Sequence, residues 1–189
     1  SSSHCTANCH IRANSSHGSS SSYAPTIPPG GMEGGTGFAS GNSSRTRFAN
    51  FAVAYARYCD GGSFSGTRTT PDIALNGPPP LYYAGKHNLD AVMGTLVARH
   101  GVGRFRQVIL SGCSAGGMSC FIHCDQVAEH FRSVNSSIDV RCVCDAGVFL
   151  DVPTVTGAGN VGEVSVRHAI EKVARAFLAE QVAHSSADE

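Results

Sequence analysis

The chain has 189 residues, enough for one domain-sized core and little beyond it. Lys plus Arg and Asp plus Glu both number 14, and only Lys86 and Lys172 are lysines. That balance excludes an electrostatic reader of nucleic acid and a polybasic membrane-surface helix. With 41% hydrophobic residues and no apolar run of about 18 or more, the composition suits a globular core and predicts no membrane span.

Residues 1–47 are dominated by Ser, Gly, Pro, Asn and Thr, including Ser19 to Ser22 and the turn signal Pro28-Pro29-Gly30-Gly31. Such a stretch buries too little apolar surface to offset its ordering entropy unless it is stapled. Cys5 and Cys9 are the candidate staples. The opening Ser1-Ser2-Ser3, with no Met and no charged-then-apolar leader, reads as the start of a fragment. Residues 48–189 read as a partial α/β domain.

Phe51 to Tyr58 (FAVAYARY) predicts a short buried strand, ended by the turn-rich Asp60-Gly61-Gly62-Ser63 after Cys59. After Pro78-Pro79-Pro80, Asn88 is placed as the cap of a helix. Its stripe of Leu89, Val92, Met93, Leu96 and Val97 ends near Gly101. Gln107 to Leu110 predicts a second strand. A helix follows from Ala115 to Phe131, with Phe121, Ile122, Val127, Ala128 and Phe131 as apolar positions, and Val140 to Val143 predicts a third strand. A last helix is read near Val161 to His184. The alternation predicts a mostly parallel sheet with helices on both faces. Three strands are few for that architecture, so the sheet reads as incomplete in this chain.

The eight cysteines, Cys5, Cys9, Cys59, Cys113, Cys120, Cys124, Cys142 and Cys144, suit disulfides in an oxidising compartment and hence secretion. The sequons at Asn14, Asn42 and Asn135 agree. Cys120 and Cys124 lie one turn apart on one helix face, so each pairs with another element, or stays free, in preference to its neighbour. Cys113 reads as a small buried side chain. Neither Cys5-x-x-x-Cys9-His10 nor Cys120-x-x-His123-Cys124 has the spacing of a structural zinc site, so no metal and no cofactor is expected.

The sharpest feature is Gly112-Cys113-Ser114-Ala115-Gly116, a G-x-S-x-G motif directly after a strand and before a helix. A tight turn there sets Ser114 at a strained backbone position as a candidate nucleophile, with Gly112 and Gly116 allowing close backbone approach. The Ala115 amide, at the helix start, is the candidate oxyanion donor. In this architecture the acid and the histidine follow the serine in the chain. Asp145 and Asp151 are the best placed acids. His123, His130 and His168 fall in helices and His184 in a terminal tail, so a complete triad is not expected within these residues.

These residues resemble the pectin acetylesterase family, to which Notum-type carboxylesterases are related. Three blocks carry the resemblance: Tyr58 to Gly66 (YCDGGSFSG), Leu110 to Gly117 (LSGCSAGG) continuing into Ile122 to Asp125 (IHCD), and Cys144 to Asp151 (CDAGVFLD). Together they cover about residues 48–155. The resemblance implies an α/β-hydrolase-like fold and a secreted serine esterase that deacetylates cell-wall pectin; a monomer is expected. Ser114 matches the family nucleophile and Ala115 its backbone donor, while Asp60 and Ser63, at a strand end on the catalytic edge, are candidates for lining the substrate cleft. Asp60 can also serve its own loop amides in a turn. The family's further oxyanion donors come from Gly-Gly-Gly-Trp, followed by cysteines that Cys5 and Cys9 match. Ser1-Ser2-Ser3-His4 stands in their place, and the family's catalytic Asp and His lie farther downstream than Glu189. Two alternatives stay open: a carboxylesterase acting on an acyl or lipid ester, with Pro71 to Tyr83 lining its pocket, and an inactive or polysaccharide-binding product.

Overall fold

The computed structural model describes residues 13, 15–21, 23–26, 40, 42–71 and 80–149. Its regular elements are a helix α1 (Gly85–His100), a single 3₁₀ turn (Val102–Arg104), a strand β1 (Gln107–Cys113), a helix α2 (Ala115–Val134) and a strand β2 (Asp139–Asp145). The two strands pair in parallel, from Gln107 opposite Asp139 to Cys113 opposite Asp145, with α2 as the crossover that parallel pairing requires.

The sequence stripes explain which faces meet. Leu89 and Met93 of α1, Val127, Ala128 and Phe131 of α2, and Val140 of β2 are buried together with Phe64, Val102 and Ile138. Each large apolar side chain so covered contributes about 1.5–3 kcal/mol. Val108 and Leu110 of β1 pack against this cluster. The period of two sends Arg141, Val143 and Asp145 to the opposite face, where all three are exposed. Cys113 shares that face by register and is an exposed thiol, which corrects the expectation of a buried side chain. Phe121 and Ile122 are likewise 55% and 52% exposed, because they turn away from the stripe that Val127 and Phe131 define.

Helix α1 begins earlier than predicted. Asn88 lies within it and Ala84 is the N-cap, without a side-chain cap bond. Tertiary contacts supply what the missing cap does not: the Lys86 N–H donates to the Gly66 carbonyl at 2.8 Å. Gly101, at φ 63°, ends the helix in the left-handed conformation and donates its N–H to Leu96. At the end of α2, the Asn135 N–H donates to Phe131 O and its Nδ2 donates to Gly103 O at 2.9 Å.

Two disulfides rivet α2 to β2. Cys120 bonds Cys144 and Cys124 bonds Cys142, so two helical residues one turn apart meet two strand residues one pleat apart. The segment 51–58 has no strand partner among the described residues. Phe51, Val53 and Tyr55 are 38%, 63% and 66% exposed, while Ala56 and Tyr58 turn toward the core. The predicted buried strand is therefore an exposed non-ladder segment: an apolar run gives the residues of a strand but not the neighbour that makes it one. The helix expected near Val161 to His184 lies outside the described residues.

Candidate active site

The chain leaves β1 through Cys113 and enters α2 at Ala115, so a single residue makes the turn. Ser114 has φ 57° and ψ −117°, a conformation that costs a non-glycine residue about 1–3 kcal/mol. Two backbone bonds hold it there: its N–H donates to the Asp145 carbonyl at 3.1 Å, and its own carbonyl accepts from the Met118 N–H at 2.9 Å. The side chain is exposed.

Glycines set how closely the surrounding backbones approach. A Cβ at Gly112 would overlap the Gly116 carbonyl, and one at Gly117 would overlap the Asp145 carbonyl and stand 2.8 Å from Gly147 Cα. A Cβ at Gly116 meets nothing within 4 Å. Close approach therefore requires Gly112, Gly117 and Gly147, and the expectation for Gly116 is corrected. The Gly116-Gly117 doublet and Gly147 after Asp145 were visible in the sequence, but only the fold shows that Gly117 and Gly147 face each other.

Ala115, Gly116 and Gly117 open a 20-residue helix, and the first amides of a helix have no intrahelical acceptor. Their N–H groups and the positive end of the helix dipole favour negative charge at this point. An exposed hydroxyl next to such an amide suits acyl transfer, with the hydroxyl attacking a carbonyl and the amide receiving the developing oxyanion.

Asp60 and Ser63 lie behind this turn, and their contacts are internal. Ser63 is 5% exposed, and its hydroxyl donates to the Ala115 carbonyl at 3.0 Å. Asp60 Oδ2 accepts from the Phe64 N–H at 2.8 Å. Burial pushes the Asp60 carboxyl above the usual range, against the pull of the Phe64 and Gly62 amides and of His123. These geometries fit a brace behind the turn.

Asp145 ends β2 with an exposed side chain and contributes its backbone carbonyl to the Ser114 N–H. His123 is 5% exposed within α2, and the Nε2 atoms of both His123 and His130 are buried without a hydrogen-bond partner. Neither imidazole is bonded to the Ser114 hydroxyl among the described residues. Asp151, His168, His184, Cys5, Cys9 and the Ser1-Ser2-Ser3-His4 segment lie outside the described residues. No helix among the described residues is long and apolar enough to cross a membrane.

A family model of pectinacetylesterases matches residues 2–186. The chain belongs to the pectinacetylesterase family. It is 34% identical over 151 residues to pectin acetylesterase 5 of Arabidopsis thaliana, a match covering 80% of this chain and 33% of that protein. The palmitoleoyl-protein carboxylesterase Notum of Drosophila melanogaster is 32% identical over 121 residues, covering 58% of this chain and 16% of that one. The solved Wnt deacylase Notum from Drosophila superposes with a TM-score of 0.53 at 32% identity, over 64% of this chain and 34% of that one. The parallel sheet, its crossover helix and this likeness make the fold α/β-hydrolase-like. The chain spans about a third of the length of the curated pectin acetylesterases it matches.

Proposed function

We propose that this chain carries the nucleophile of a serine esterase that removes acetyl groups from pectin outside the cell. The observation that carries the reading is Ser114 itself: exposed, at φ 57°, between a parallel strand and the first amide of α2. In the reaction, Ser114 Oγ bonds to the acetyl carbonyl carbon while a general base takes its proton. The oxyanion faces the Ala115 N–H. On collapse the sugar oxygen leaves with that proton, and water then cleaves the acetyl-serine to release acetate. His123 and His130, with their Nε2 atoms buried, are not placed to be that base.

The relatives favour an acetyl ester over a long acyl chain. The pectin acetylesterase 5 match covers 80% of this chain and the Notum match 58%, and the family model names pectinacetylesterases. The two disulfides support an extracellular setting. Among the sequons, Asn42 is exposed, whereas the Asn135 Nδ2 is engaged by the Gly103 carbonyl. Asn42 is therefore the better glycan acceptor of these two.

The test is hydrolysis of p-nitrophenyl acetate and acetylated pectin by the protein expressed at its natural length. Ser114→Ala is expected to lower kcat at least about 10³-fold. Acetate release that survives the substitution would refute the reading, as would wild-type protein with no acetate release.

A further inference from the structure

A second strained turn stands directly behind the Ser114 turn, and the esterase reaction as written leaves it without a role. Gly61, Ser63 and Phe64 have φ of 68°, 55° and 57°, so three of four consecutive residues occupy the left-handed region. Two of them are not glycine, and each such residue costs about 1–3 kcal/mol. Several contacts hold this turn in place. The Asp60 carboxylate accepts the Phe64 N–H, and Ser65 bonds the Gly62 carbonyl through its N–H and through its hydroxyl at 2.6 Å. The Ser63 N–H reaches the Tyr58 hydroxyl at 3.4 Å. The Phe64 ring is buried in the core and meets Tyr58 edge to face at 5.9 Å. Gly85 lets the start of α1 lie against the Asp60 carboxylate, which a Cβ there would overlap.

All of this delivers one hydroxyl to one carbonyl. Ser63 Oγ donates to Ala115 O at 3.0 Å, across 52 residues of sequence. That carbonyl flanks the Ala115 N–H on one residue and shares its peptide with the Gly116 N–H. Helix ends fray and the first turn is held least tightly. An oxyanion donor that wanders by about 1 Å forfeits much of its effect. We infer that Ser63 is a positioning residue, which, held by the Asp60 turn, locks the first turn of α2 so that the Ala115 amide points where the oxyanion forms. This assignment rests on the reading of Ser114 as the nucleophile.

A positioning role differs measurably from a structural one. Ser63→Ala removes the hydroxyl and keeps the strain, whereas Ser63→Gly removes both and favours the positive φ. If Ser63 positions Ala115, both variants lower kcat for p-nitrophenyl acetate about tenfold at unchanged KM, even though Ser63→Gly melts at or above the wild-type temperature. A Ser63→Gly protein with wild-type kcat overturns the assignment alone, provided Ser114→Ala still abolishes turnover. Wild-type protein without Ser114-dependent turnover overturns the nucleophile reading and this assignment with it.

Discussion

Ser63 and Ser114 share a positive φ, 55° and 57°, that serine seldom adopts. Ser63 is buried with its hydroxyl on the Ala115 carbonyl, while Ser114 is exposed and joined to its neighbours through the backbone. Their restraints differ in kind. Hydrogen bonds to Asp60, Gly62 and Tyr58 hold the first turn. Backbone hydrogen bonds and glycine contacts, with no bond from the Ser114 side chain among the described residues, hold the second, backed by a disulfide from Cys120 in α2 to Cys144 in β2. The same backbone strain thus serves a brace in one place and a presented hydroxyl in the other, and only burial and side-chain partners distinguish them.

The covalent half of this contrast carries the largest expected effect on stability. Cys120 and Cys144 are 24 residues apart and Cys124 and Cys142 are 18 apart. Closing loops of this size restricts the unfolded chain by about 3 kcal/mol for a single bond. Replacing Cys124 and Cys142 with serine is expected to lower the unfolding free energy in urea by about that amount. A loss below about 1 kcal/mol would mean that the Cys120–Cys144 bond, which encloses this loop, already restrains the unfolded chain here and leaves the second bond redundant.

The glycine contacts come next. Gly117→Ala places a methyl on the Asp145 carbonyl and against Gly147, and is expected to cost about 1–3 kcal/mol as overpacking. Gly116→Ala, whose Cβ has open space, is expected to gain up to about 1 kcal/mol from helix propensity. Thermal melts of the two variants test this directly. Equal melting temperatures would show that the elbow adjusts freely and that the close approach of residues 117 and 147 is not a requirement.

Much of this was legible in the sequence because it follows from periodicity and from local chemistry. Leu89, Met93, Val127 and Phe131 announce their faces by spacing, and Ser114 announces itself by the strand and helix around it. What was not legible depends on partners distant in the chain. Asn88 looks like a cap, but the cap is Ala84, four residues earlier, because Gly66 receives the Lys86 amide and Asp60 lies on Gly85. The run from Phe51 to Tyr58 has strand composition without a strand neighbour among the described residues. Asp60 could be read as a turn residue from the two glycines that follow it, whereas nothing in the sequence shows that the turn ends on Ala115. That Cys120 and Cys124 do not pair with each other followed from helix geometry, which left each to pair elsewhere or stay free. Their partners, Cys144 and Cys142, required the register of β2 on β1.

The smallest expected effect lies on the hydrogen-bonded side and tests how Asp60 is held. Burial raises its carboxyl pKa more than the Phe64 and Gly62 amides and the charge of His123 in α2 lower it. One carboxylate oxygen, Oδ1, is buried without a partner. A raised value in the fold means that the folded chain holds this proton more tightly than the unfolded one does. The stabilisation is fully present below the ordinary aspartate value of about 3.9 and is lost as pH rises through the raised value. Asp60→Asn keeps an acceptor for the Phe64 amide and removes the titration. Wild-type stability minus that of Asp60→Asn should therefore fall between pH about 3.5 and neutrality, and thermal melts of both proteins across that range measure it. A difference that rises with pH instead would place the carboxylate in a site that prefers its charge. The turn behind Ala115 would then be an electrostatic anchor, not a desolvated brace.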